Sequence, residues 1–125
     1  MKNQPISALM QPHADVIAMD MSVSEVEAFL TAHRRSWAPV VADHGEVIGV
    51  LSDADLVRLR ASGRDPDRKK AWQVSTYRPL CVDPQTTIGE VAKAMVERRI
   101  HHVVVTEDGY IRGVVSALDF VKTFV

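Results

Sequence analysis

The chain has 125 residues, of which 46% are hydrophobic and 25% charged, enough for one ordinary domain or two very small ones sharing a core and too apolar for a wholly disordered chain. Lys plus Arg number 15 and Asp plus Glu 16, so the net charge of −1 supplies no bulk basic field for nucleic acid or an anionic membrane surface. Apolar runs stay at about four residues against the ~20 of a membrane span, Met1 to Pro5 lead into no apolar signal segment, and the single Cys81 forms no internal disulfide, so a reducing cytoplasm is the expected location.

Taken in order, Val16-Ile17-Ala18 reads as a short extended segment. Ser22 with Glu25 three positions on is a helix-start pattern, and Val23, Val26, Phe29 and Leu30 recur at helical spacing. The helix is expected to end near Arg34-Arg35, where cations suit its negative end. Two β-branched strands follow, joined at Asp43-His44-Gly45, and the second runs into Ser52-x-x-Asp55 and a closing helix with Leu56, Val57 and Leu59 on its apolar side. Ala61 to Lys70 reads as a solvated connector; the sharper alternative is that Arg64, Arg68, Lys69 or Lys70 fold over an anionic ligand. The same order then returns. Leu80-Cys81-Val82 is extended, with Cys81 expected to be a buried, inert thiol. Thr86 or Thr87 precedes a helix with Glu90 in its first turn and Ile88, Val91, Met95 and Val96 as its apolar face, ending near Arg98-Arg99. Strands flank Glu107-Asp108-Gly109, and the second enters Ser116-x-x-Asp119 and a helix carrying Phe120, Val121 and Phe124.

The chain therefore repeats itself. At an offset of 64, Val40 to Asp55 lies over Val104 to Asp119 with seven identities in 16 pairs; at 65, Ser22 to Val26 lies over Thr87 to Val91. The fold expected is α+β, two β-α-β-β-α repeats at residues 5–61 and 72–125 with a charged connector at 62–71. About 60 residues are marginal alone, so the copies are expected to share a core.

The pattern resembles the cystathionine β-synthase (CBS) domain in its tandem form, the Bateman module. The residues that carry the resemblance are Ala38-Pro39-Val40-Val41 with Gly49 to Asp55, and Val103-Val104-Val105 with Gly113 to Asp119, preceded by Leu9-Met10-Gln11-Pro12. It implies two sheets about a pseudo-twofold axis, with clefts between the copies that in the family bind adenosyl ligands: AMP, ADP, ATP, S-adenosylmethionine, sometimes NAD. It implies that Asp55 and Asp119 contact ribose and that Ser52 and Ser116 contact sugar or phosphate. The chemistry permits this, because a helix start favours anions and a carboxylate accepts from vicinal ribose hydroxyls. The same Ser-x-x-Asp can simply cap its helix; a cap would leave one carboxylate oxygen free for a ligand. Ala38 and Val103 are positioned to sandwich a purine, and Pro39, Ile17 and Val82 complete the expected contacts. Copy two has Val103 where Pro39 stands, and copy one has Ser36 where an apolar residue is usual, which weakens each pocket in turn.

His101 and His102 fall where AMP-binding members of the family place a His-Arg pair, and a protonated imidazole donates well to phosphate. Their bland alternative is a strand end satisfied by solvent or backbone. No metal site is expected: neighbouring strand residues face opposite ways, and the other histidines lie in separate segments. Trp37 could stack on a base or belong to the core or an interface. No elbow, Walker loop, His-Glu-x-x-His or paired-cysteine motif indicates an enzyme. The leading expectation is a stand-alone regulatory module, requiring no cofactor beyond its adenosyl ligand and signalling to a partner protein. It is expected to form a homodimer through the helices at 22–35 and 87–99. The alternative is a ligand-free interaction module with vestigial clefts.

Overall fold

A computed structural model of the chain describes residues 1–76 and 79–123. Arg78, the one cation near Cys81 in sequence, and Phe124, expected on the last helix, lie outside the described residues. The expected order is found. It runs β1 (Ile17–Ala18), α1 (Val23–Ala32), β2 (Trp37–Val41), β3 (Val47–Ser52), α2 (Asp53–Ala61), α3 (Ala71–Val74), β4 (Cys81–Val82), α4 (Ile88–Arg98), β5 (His102–Glu107), β6 (Tyr110–Ser116) and α5 (Ala117–Lys122). A 3-10 turn at Ile6–Ala8 and α3 are additions that the sequence pattern did not announce.

Each repeat builds the same three-stranded sheet. β1 runs parallel to β2 and β2 antiparallel to β3; β4, β5 and β6 repeat this. The second hairpin turns on Asp108 and Gly109, both at positive φ (54° and 85°), the mirror-image turn whose twist suits adjoining strands. α1 starts on a complete capping box: the Glu25 N–H donates to Ser22 Oγ and the Ser22 N–H to Glu25 Oε1, each at 3.1 Å. Thr87, not Thr86, caps α4, accepting from the Glu90 N–H. The arginines at the helix ends do more than offset the dipole. Arg34 and Arg99 leave their helices in the left-handed conformation that glycine usually supplies.

The chain divides into two compact units that are not the two halves of the sequence: one holds Met1–Ala14 with Leu80–Val125, the other Asp15–Pro79. In the first unit the Ile6 N–H donates to Thr86 O, the Ile88 N–H to Gln4 O, and Gln11 pairs with Val114. In the second the Ala71 N–H donates to Met21 O, the Val23 N–H to Lys69 O, and Thr76 pairs with Val50. Gln4, Ile6 and Gln11 stand 65 positions before Lys69, Ala71 and Thr76, so the repeat extends back through the lead-in segments. Each lead-in packs with the β-α-β-β-α set of the other repeat. The connector is accordingly not a free loop, since Ser24 is hydrogen-bonded to Asp67 and Lys69 caps α1 through its backbone.

The cores follow the same plan. Ile17, Val26, Leu30, Ala38, Val40, Leu51 and Ala71 form one cluster; Ile6, Ile88, Val91, Met95, Val103, Val105 and Val115 form the other. Three apolar-face expectations are corrected: Val57, Val96 and Val121 are exposed, Val96 at 78%. Each sits beside the buried stripe of its helix, and helical spacing alone does not say how wide a stripe is covered. Among the described residues no helix is long and apolar enough to cross a membrane.

Candidate functional site

Asp55 and Asp119 are the buried charged residues among those described. Burying a carboxylate is costly unless its oxygens are hydrogen-bonded, and both are. Each sits in the first turn of a helix at the end of the last strand of its sheet. The backbone N–H of the strand-end serine donates to Oδ2, from Ser52 to Asp55 at 2.9 Å and from Ser116 to Asp119 at 2.8 Å, and the serine hydroxyl donates to the same oxygen at 3.1 and 3.3 Å. This is the capping role.

The second oxygen was expected to be free, and it is not. Oδ1 of Asp55 accepts from Thr76 Oγ1 at 2.8 Å and from the Arg58 guanidinium. Oδ1 of Asp119 accepts from Gln11 Nε2 at 3.0 Å. A carboxylate offers about four acceptor positions. Asp55 fills its four within the protein; among the described residues Asp119 fills three. Thr76 and Gln11 are the residues that sequence reading missed. They are structural equivalents 65 positions apart, one a threonine and one a glutamine, so no identity advertised them.

Close approach of the lead-ins rests on glycine. A Cβ on Gly113 would lie 2.6 Å from Gln11 O and 2.7 Å from Met10 Sδ, and one on Gly49 would lie 3.0 Å from Ser75 Oγ. These two glycines are matched in the repeat, and each lets a lead-in lie against the last strand of its sheet.

The other expected contacts divide by burial. Ile17, Ala38 and Val103 belong to the cores, Val82 packs against one of them, and Pro39 is buried. Trp37 is buried at the first position of β2, in register with Ser52. His102 opens β5, half-buried and in register with Ser116, and exposed His101 precedes it. The two imidazoles meet edge to face with centroids 6.4 Å apart. Among the described residues no three His, Cys, Asp or Glu side chains converge as a metal site. Cys81 is exposed rather than buried, yet partial burial of its thiol pushes the pKa up.

Two cavities lie within single units. One of about 210 Å³ is lined by Asp55, Arg58, Leu59, Arg64, Gln73 and Val74. The other, about 470 Å³, is a mainly apolar groove on α4 and α5 that includes Met95, Val96, Arg99, His101 and Phe120.

Paired three-stranded sheets, each ending in Ser-x-x-Asp at a helix start, define a tandem CBS module. The chain belongs to the CBS domain family, whose model matches it twice, at residues 6–62 and 71–125. Among solved structures it is similar to an uncharacterized conserved protein from Pyrococcus horikoshii (24% identity, TM-score 0.89, 99% of this chain and 94% of that one). It is similar also to the CBS domain pair of protein MJ0100 in complex with 5′-methylthioadenosine and S-adenosyl-L-methionine (20%, TM-score 0.87, 97% and 99%). A third is the CBS domain protein PAE2072 from Pyrobaculum aerophilum complexed with AMP (25%, TM-score 0.84, 92% and 88%). The chain spans 42%, 55% and 59% of the length of three curated relatives that it matches.

Proposed function

We propose that the chain is a regulatory module that binds an adenosyl ligand (AMP, ADP, ATP or S-adenosylmethionine) at its Ser-x-x-Asp sites and reports occupancy to a partner protein, without catalysis of its own. The observation that carries this reading is the pair of buried carboxylates, Asp55 and Asp119, each tied to a lead-in segment and to the start of a helix. A ribose hydroxyl arriving at Asp55 has to displace one of its four donors, which turns binding into a conformational signal. The solved relatives with AMP, or with S-adenosylmethionine and methylthioadenosine, support the ligand class. In this reading Ser52 and Ser116 contact sugar or phosphate. Ala38, Pro39, Val103, Ile17, Val82 and Trp37 form the walls, and His101 and His102 donate to phosphate.

Calorimetric titration with AMP, ADP, ATP, S-adenosylmethionine and NAD tests it. One adenosyl ligand should bind, and Asp55→Asn or Asp119→Asn should weaken it at least tenfold in chains that still melt cooperatively. No heat from any of the five sinks the reading.

A second reading, assembly without ligand, is favoured by the apolar groove and by the exposed Val96, Leu118 and Val121 near it. We place the homodimer contact on α4 and α5 in preference to α1, which exposes no large apolar side chain. Light scattering should give twice the chain mass, and Val96→Glu should halve it.

A further inference from the structure

The connector after α2 brings a second arginine to Asp55. Gly63, at φ +78°, turns the chain, and Arg64 Nε donates to Ser62 Oγ at 3.1 Å. Arg64 then lines the 210 Å³ cavity with Arg58, Gln73 and Asp55. The acids near it in sequence are engaged elsewhere: Asp65 pairs with Arg68 at 3.7 Å, and Asp67 accepts from Ser24. Among the described residues Arg64 makes no ion pair. The lining thus holds two guanidiniums against one carboxylate whose acceptor positions are filled. The cavity is smaller than the ~300 Å³ at which pockets begin to enclose a whole drug-sized ligand, but it has room for a phosphoryl group.

We infer that this cavity is a phosphate subsite, in which Arg64 and Arg58 hold the phosphoryl group of a nucleotide bound at Asp55. The inference rests on the reading of Asp55 as a ribose contact and adds a selectivity to it. The guanidinium fork matches phosphate oxygens in pairs. Because Asp55 has no acceptor position to spare, an arriving ribose hydroxyl must displace a donor. Arg58 is the one that yields, since its side chain is 69% exposed while the Ser52 N–H is fixed in the backbone. Released, it turns to the phosphate beside Arg64. The Asp119 site has no such pair: Lys122 stands where Arg58 does, and among the described residues it makes no ion pair with Asp119. The Asp55 site therefore prefers phosphorylated adenosine to adenosine or S-adenosylmethionine through an arginine pair that, among the described residues, the Asp119 site lacks.

The test is calorimetry with adenosine, AMP and S-adenosylmethionine on the Asp119→Asn chain, which isolates the Asp55 site, together with the same chain carrying Arg64→Gln or Arg58→Gln. In parallel, the arginine Nε–H resonances of the unaltered chain are followed by NMR, which does not depend on the Asp119 variant folding. AMP should bind at least tenfold more tightly than adenosine, each arginine variant should lose about tenfold for AMP, Arg64→Gln should leave adenosine affinity unchanged while Arg58→Gln should not weaken it, and the Arg64 resonance should move with AMP only. Equal affinity for AMP and adenosine, or an AMP affinity indifferent to Arg64, overturns the subsite and leaves the adenosyl reading standing. Absence of binding by all three ligands, with no arginine resonance moving, overturns both.

Discussion

Thr76 donates its hydroxyl to Oδ1 of Asp55 at 2.8 Å across 21 positions of the chain, and it belongs to a segment that the sequence repeat assigns to the other copy. The contact joins a lead-in to the start of α2, and Gln11 does the same for Asp119 across 108 positions. Thr76→Val should lower unfolding free energy by about 1–3 kcal/mol, the range for removing a hydrogen bond to a buried charged group. In urea unfolding of Thr76→Val, Asp55→Asn and the double variant, the two losses should fail to add, with a coupling above about 0.5 kcal/mol. Strict additivity would mean the contact contributes nothing.

Gly113 has a different kind of necessity. Its backbone lies against that of Gln11, so the methyl of Gly113→Ala meets a carbonyl oxygen that cannot rotate away. We expect a loss of about 1–3 kcal/mol, typical of overpacking. Gly49→Ala meets a serine side chain first and should cost less. Melting points of the two variants give the ordering directly; a Gly49→Ala loss equal to or larger than that of Gly113→Ala contradicts the assignment.

Glu25 links stability to acid. The Ser22 backbone N–H, and after it the Ser22 hydroxyl, hold its carboxyl below the ordinary value of 4.5. A depressed carboxyl stabilises the folded state above its unfolded pKa and loses that contribution as pH falls through the folded one. The carboxyl carbon of Glu25, followed by NMR, should titrate below 4.5 in the folded chain, and Ser22→Ala should return the midpoint toward it. Ser22→Ala should also cost about 1 kcal/mol as a lost cap.

Cys81 should be accessible but slow. Burial raises its thiol pKa, so the reactive thiolate is scarce at neutral pH. Alkylation by iodoacetamide should be slower than in the unfolded chain at pH 7.5, with a rate profile whose midpoint lies above the ordinary thiol value of 9.0. The sign for stability is the reverse of Glu25: the raised thiol favours folding below its unfolded pKa, and the contribution is lost as pH rises through the folded one.

Local chemistry was readable where a residue acts on its neighbours. Ser22 with Glu25, Asp108-Gly109, and the valines of β2 and β5 marked a cap, a turn and two strands within a few positions each. What could not be read depends on distance. Thr76 and Gln11 reach carboxylates through pairings made by folding, and their difference in type hid their equivalence. Val57, Val96 and Val121 have the right spacing to be buried, but spacing reports which side of a helix they occupy and not whether anything covers it. Ser52 and Ser116 are legible as caps answered by the aspartates three positions on, whereas the second oxygens are filled by residues that only folding brings near.

The exchange of lead-ins has a temporal side. Residues 15–79, which make up one unit, are contiguous, so a ribosome finishes everything that unit needs before residue 80 is added. Met1–Ala14 are synthesised before it, yet their partners, from Leu80 onward, are made after it. Ile6, fully enclosed in the folded chain, therefore waits through the synthesis of that whole unit for Val91, Val103 and Val115. A segment made before that unit finds its place only after it, and a nascent chain stalled after residue 79 would carry one finished unit and one unpaired apolar arm.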